Sequence, residues 1–218
     1  MYNIFSMNVH CSDRLYWADL LRVFAICLVV ILHTASPLLY IWTKKTRPIE
    51  WHIGNIIDSA VRSGVPLFIM LSGALLLGKE ESIGTLLIFM ISFVVTALGT
   101  YALSEKAGGF VEYFYAYSSL NVIAMAISVF LMIKFLAEKI ERNNTRKHLL
   151  AMSALSQMSF GVYLIHPLVM QLLFSNINLS AMSFSPILSI PLTALMTLAI
   201  SFLSIFLLSK IPGAGHVI

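Results

Sequence analysis

Charge is what this sequence has least of. Asp, Glu, Lys and Arg make up 11% of the 218 residues, against about 25% in an ordinary soluble domain. So few ionisable groups cannot cover a surface that faces water on all sides. A chain that is 59% apolar, with a mean hydropathy of +0.88, places much of its surface in lipid instead. Cysteine is nearly absent. Cys11 and Cys27 form no paired pattern, which excludes a disulfide framework. No cluster of His, Cys, Asp or Glu has metal-ligand spacing and no nucleic-acid motif occurs, so neither a metal nor a nucleic acid is an expected partner. The net charge of +4 is accounted for by basic residues gathering at the cytoplasmic ends of membrane helices. A cleavable leader is not predicted either: the run Val23 to Leu32 has the length of a signal core, but no A-x-A site follows and apolar residues resume to Trp42.

What the chain does have is apolar runs long enough, at roughly 20 residues each, to span a bilayer. They fall at about Leu20 to Trp42, Ile56 to Leu77, Ile83 to Leu103, Leu120 to Ala137, Leu149 to Phe174 and Ile187 to Leu208. The pattern predicts an all-α, multi-pass membrane bundle of about six helices in a single domain over residues 1–218. With the N-terminus inside, the inner side takes the larger share of Lys and Arg, from Arg14 and Arg22 through Lys134, Lys139, Arg142, Arg146 and Lys147 to Lys210. The positive-inside rule therefore puts both termini in the cytoplasm. The second window opens with Asp58 and Arg62 at i,i+4 and carries Pro66, where a kink is expected. The aromatic stretch Gly108 to Ser119 reads as an interfacial belt.

The most informative stretch is Asp19 to His33, DLLRVFAICLVVILH. It sets three ionisable side chains in an apolar run. Arg22 and His33 are 11 residues apart, about three helical turns plus roughly 20°, so they share a face and lie roughly 16 Å apart along the axis. That spacing suits the two ends of one elongated ligand. Asp19 stands three residues before Arg22 and pairs with it at that spacing. An ionisable group at membrane depth costs at least a few kcal/mol, which is why it marks function by default. The bland readings are a His33 imidazole satisfied by a neighbouring carbonyl and an Arg22 that snorkels to the headgroups. The fifth window repeats the theme with His166, followed by Pro167 and preceded by Tyr163 on the same face.

These pieces together resemble the integral membrane acyltransferase-3 family, which includes bacterial O-acetyltransferases of surface polysaccharides. The resemblance rests on R-x10-H as Arg22 and His33 within YWADLLRVFAICLVVILH, on VPLFIMLSGALLL with Arg62 ahead of it, and on SFGVYLIHPLV with Ser159, Gly161, Tyr163 and His166. It implies an acyl group, usually acetyl, carried from cytoplasmic acyl-CoA to a hydroxyl of an envelope glycan or lipid-linked saccharide at the bacterial inner membrane. It implies no bound cofactor, with acetyl-CoA as donor substrate and membrane lipid as surroundings. It also implies His33 and Arg22 as the catalytic residues, with Asp19, Arg62, Tyr163 and His166 in substrate binding. An imidazole takes the proton of an attacking hydroxyl, and a guanidinium binds the donor's anionic groups or the developing oxyanion.

Family members typically have about ten helices, so the chain reads as internally shortened after about residue 77. The basic R-x-R motif of the family's cytoplasmic loop is replaced here by GKEES, with Lys79 alone. A non-catalytic remnant is therefore an alternative, and a small transporter a further one, though no inverted repeat supports the latter. For the bundle itself, the first helix is expected beside the fifth window, with His33 facing the interior. His33 and His166 should then share a shallow polar cavity open to the outer side, to which Tyr163 offers its hydroxyl.

Overall fold

The Asp19 to His33 stretch forms the central helix of the bundle. The computed structural model describes residues 16–42, 48–73, 83–143 and 146–210. In it α1 covers Tyr16–Ala35 and continues as a 3-10 turn over Ser36–Ile41, where Pro37 interrupts the α-helical ladder. The others are α2 (Ile49–Val61), α3 (Gly64–Gly73), α4 (Ile83–Ala107), α5 (Leu120–Asn143), α6 (Arg146–Ile177) and α7 (Pro186–Leu208). The described residues contain no strand. Five helices are long and apolar enough to cross a membrane, over Tyr16–Ile41, Gly84–Ala107, Tyr113–Glu141, His148–Ile177 and Pro186–Leu208.

The second window is the exception, because its helix breaks at Arg62 and Ser63 into α2 and α3. Pro66 explains the position of the break. Lacking an N–H, it cannot bond the carbonyl four residues back, but it fits the first turn of a new helix, where no N–H is needed. The ladder restarts with the Leu67 N–H donating to the Ser63 carbonyl at 3.0 Å. The end of the window and the GKEES loop fall in residues 74–82, outside the described residues.

Half of the apolar window of α1 is buried, against 22% for α4. α1 packs on α2, α3, α5, α6 and α7. It runs parallel to α6, since Arg22 meets Ser156 near one end and His33 meets His166 near the other. It runs antiparallel to α5, whose late residues Phe130 and Lys134 cover Trp17 at the start of α1.

Polarity along the helices is inverted relative to a soluble protein. α4 exposes Leu87, Ile91 and Leu98 while burying Thr96, Thr100 and Ser104, and α7 buries Ser189, Thr193, Thr197 and Ser201 beneath exposed Leu188, Leu192 and Leu195. In lipid the apolar effect does not hold helices together, so small hydroxyl residues that allow close approach collect at the contacts. Glycine does the same at two crossings. A Cβ at Gly64 would stand 2.8 Å from the Leu28 Cβ and 3.1 Å from the Val29 N, and one at Gly161 would stand 2.8 Å from the Ile205 Cδ1. The first crossing brings α3 onto the α1 backbone.

Candidate active site

At one end of the α1–α6 seam, Arg22 is held from two sides. Its Nη1 donates to Asp19 Oδ1 at 3.1 Å and to Ser156 Oγ at 3.4 Å. Asp19 is buried while the Arg22 side chain is 42% exposed. The pair is too open to add much stability. It fixes a guanidinium at the wall of a cleft of about 350 Å³, which Phe68, Gln157, Ser159 and Phe160 complete. Ser159 turns its own hydroxyl to the Ser156 carbonyl at 2.6 Å. Arg22 is therefore not a free snorkelling side chain: a carboxylate and a hydroxyl from two helices hold it.

At the other end, the His33 and His166 rings lie 5.3 Å apart, tilted by 38°. His166 is 2% exposed. His33, expected to face the bundle interior in a cavity open to one side, is exposed. The seam is thus open on the α1 side of the pair. Tyr163 packs its ring at 5.8 Å from His166 and 5.5 Å from Phe68. What it supplies to His166 is a backbone carbonyl, 2.6 Å from Nδ1; the sequence pointed to its hydroxyl.

Arg62 joins this end through a network that the sequence did not disclose. Its Nη1 donates to Asp58 Oδ1 at 2.9 Å, its Nε donates to the Tyr115 carbonyl at 2.9 Å, and its guanidinium lies 4.5 Å and 5.0 Å from the Tyr115 and Tyr117 ring centroids. Through Asp58 it is tied to Ser36, three residues beyond His33. Asp58 is fully buried and also accepts from Ser36 Oγ at 3.1 Å. Tyr115, itself buried, donates to Asn55 Oδ1 at 2.6 Å and lies 3.0 Å from Ser59 Oγ. The Asp58 and Arg62 spacing was legible as an i,i+4 pair, but nothing local marked Tyr115 as its partner, 53 residues away from Arg62. The stretch around Tyr115 is only partly an interfacial belt: Tyr113 is 70% exposed, whereas Tyr115 is a buried hub.

Both Arg22 and His33 thus face α6, as their spacing requires. They do not line one continuous space. Ile26, Val29 and Val30 of α1 are fully buried against Val162 of α6 between them, with Ala194 and Ile205 of α7 behind. Neither histidine nor Tyr163 lines the cleft at Arg22, and Phe68, which packs on Tyr163, is shared between the two ends. Among the described residues, no three His, Cys, Asp or Glu side chains are grouped to hold a metal ion.

A family model described as an acyltransferase domain, that of the acyltransferase-3 family, matches residues 15–83 and 78–206. The first segment contains Arg22, His33 and Arg62, and the second contains Ser159, Tyr163 and His166. No curated protein and no solved structure matches the chain.

Proposed function

The chain belongs to the acyltransferase-3 family, and from that premise we propose that it transfers an acyl group, acetyl being the simplest case, from acyl-CoA to a hydroxyl of a cell-envelope glycan or lipid-linked saccharide. The donor's anionic portion would bind at Arg22 in the cleft beside Asp19 and Ser156. The acceptor hydroxyl would approach His33 from the open end of the seam, where Arg62 adds positive charge for the developing oxyanion. The observation that carries this reading is that one face of α1 presents a held guanidinium at one end and an exposed imidazole at the other, both against α6.

In the reaction the hydroxyl proton passes to His33 while the oxygen attacks the thioester carbonyl. The C–S bond breaks, and the imidazolium returns the proton to the leaving thiolate. In this reading the donor comes from the cytoplasm and the acceptor from outside, the positive-inside rule supporting an inner position for the Arg22 end. The expected setting is a bacterial inner membrane.

The apolar layer at Ile26, Val29, Val30 and Val162 favours a second reading. A donor reaching from Arg22 to His33 must part this layer, and a chain internally shortened after about residue 77 lacks helices that would widen it. The match in two segments meeting at residues 78–83 supports that shortening. The second reading is a non-catalytic remnant of the family.

One experiment separates the two. Full-length protein in lipid nanodiscs is given acetyl-CoA, and free thiol is measured with and without added saccharide. The acyltransferase reading expects thiol release above empty nanodiscs, with His33→Ala lowering it by about 100-fold or more, the usual worth of a general base. Wild-type protein that releases no thiol leaves the remnant reading in place.

A further inference from the structure

Pro167 lies inside α6, where an ordinary residue would donate its N–H to the carbonyl of Tyr163, four residues back. Proline has no N–H, so that carbonyl is free to accept elsewhere. The His166 ring takes it, with Nδ1 2.6 Å from the Tyr163 carbonyl. A carbonyl only accepts, so Nδ1 carries the hydrogen, and in a neutral imidazole Nε2 is then a lone pair. That lone pair is buried and has no hydrogen-bond partner. Unpaired buried acceptors are costly and therefore scarce. The neighbouring ring is His33, 5.3 Å away and exposed.

We infer that His166 is the positioning residue for His33: its Nε2 accepts an N–H from the His33 ring when the acceptor is bound, leaving the other His33 nitrogen as the lone pair that meets the substrate hydroxyl. Pro167 acts one step further back, by freeing the carbonyl that fixes the His166 tautomer. This is the arrangement of a base oriented by a third group, built here from two imidazoles and a proline. His166 keeps its protonation throughout. The proton of the hydroxyl goes to His33 and then to the thiolate. A turn of the exposed His33 ring is the movement required. The inference rests on the acyltransferase reading for its chemistry, though not for the tautomer.

Two measurements on the full-length protein in nanodiscs test it. In thiol release from acetyl-CoA, His166→Leu removes the acceptor and lowers kcat by about 10-fold to 100-fold, a part of the 10²–10⁴ that a general base contributes. His166→Gln keeps a carbonyl acceptor and stays within about fivefold of wild type, with KM for acetyl-CoA unchanged in both. A His166→Leu variant with wild-type kcat overturns the inference, and so does a His166→Gln variant as slow as His166→Leu, which would make His166 itself the base.

The second measurement is independent of turnover. The protein has six histidines, and ¹⁵N NMR of histidine-labelled wild type, assigned by difference from His166→Gln, reads the His166 tautomer directly. Protonated Nδ1 with bare Nε2 is expected, with a mixture in Pro167→Ala, whose new N–H competes for the Tyr163 carbonyl. Protonated Nε2 in wild type overturns the inference, and tautomer populations unchanged in Pro167→Ala overturn the role given to Pro167. Wild type with the expected tautomer but no thiol release overturns the acyltransferase reading instead.

Discussion

His33 of α1 faces His166 of α6 across 5.3 Å, and eleven residues back along α1 Arg22 meets Ser156, ten residues back along α6. The two helices stay in step over that whole length because they are parallel and packed by buried Ile26, Val29, Val30 and Val162. The same packing that brings the polar residues together at both ends closes the space between them. Chemistry at the histidines and binding at Arg22 are therefore separable by mutation.

Arg22 should govern donor affinity more than turnover. Its guanidinium meets Asp19 and Ser156 through one nitrogen, which leaves further donors for an anionic ligand in the cleft. Losing a charge-assisted hydrogen bond costs about 1.5–3 kcal/mol, so Arg22→Gln is expected to raise KM for acetyl-CoA by about 10-fold or more with a smaller effect on kcat. Lysine keeps the charge without the planar fork and should recover only part of it. An unchanged KM in Arg22→Gln would remove the cleft from the donor site.

His33 is expected to be replaceable by neither Ala nor Gln. Gln offers a carbonyl and an amide but cannot take up a proton, so a residue acting as base loses about 10²–10⁴ in kcat with either substitution. Retention of kcat in His33→Gln would show that the side chain only binds the acceptor. Because the His33 ring is exposed, both variants should fold like wild type, checked by unchanged thermal unfolding in detergent.

Arg62 should matter for stability as well as for activity. Asp58 is fully buried, and Arg62 is its cationic partner at 2.9 Å. Removing one side of a buried ion pair strands the other, at a cost of about 3–5 kcal/mol. Arg62→Leu is therefore expected to unfold at clearly lower temperature, and Asp58→Leu in the same chain should restore most of the loss. If the double variant is as unstable as the single one, then the Tyr115 contacts, and not the carboxylate, hold Arg62 in its place.

How much of this was legible depends on the range of the signal. The apolar windows foretold the long helices to within a few residues, since span length is a local property of composition. The shared face of Arg22 and His33 followed from helical periodicity alone. Pro66 was correctly seen as a disturbance, but a kink and a break have the same local cause, and the outcome depends on the Gly64 contact with α1. The Asn55, Ser59 and Tyr115 hub was not legible, because hydroxyl and amide partners more than 50 residues apart leave no periodic trace. The freed Tyr163 carbonyl could have been found from His166 and Pro167 side by side, had the missing N–H been followed back four residues.

The directions of the helices put both ends of the described bundle on one side, expected to be the cytoplasm, even though five helices alone qualify as spans. α2 begins beside the outer end of α1, where Trp51 packs on Trp42, and α3 ends beside the inner end, where Leu67 packs with Leu21 and Phe68 lines the Arg22 cleft. The broken pair therefore crosses the bundle once, as a single long helix would. Had it turned back, α5 would run parallel to α1; the contacts of Trp17 with Phe130 and Lys134 make it antiparallel. α7 starts near Ala35 and Leu38 and ends with Ile205 against Val162, which returns the chain to the Arg22 end. With basic residues concentrated there, a cysteine replacing exposed Ser183, in the loop between α6 and α7, should react with a membrane-impermeant maleimide in intact cells. One replacing exposed Glu141, near the end of α5, should react only after permeabilisation. The reverse pattern would invert the bundle and move the donor cleft outside, where no cytoplasmic acyl-CoA could reach Arg22.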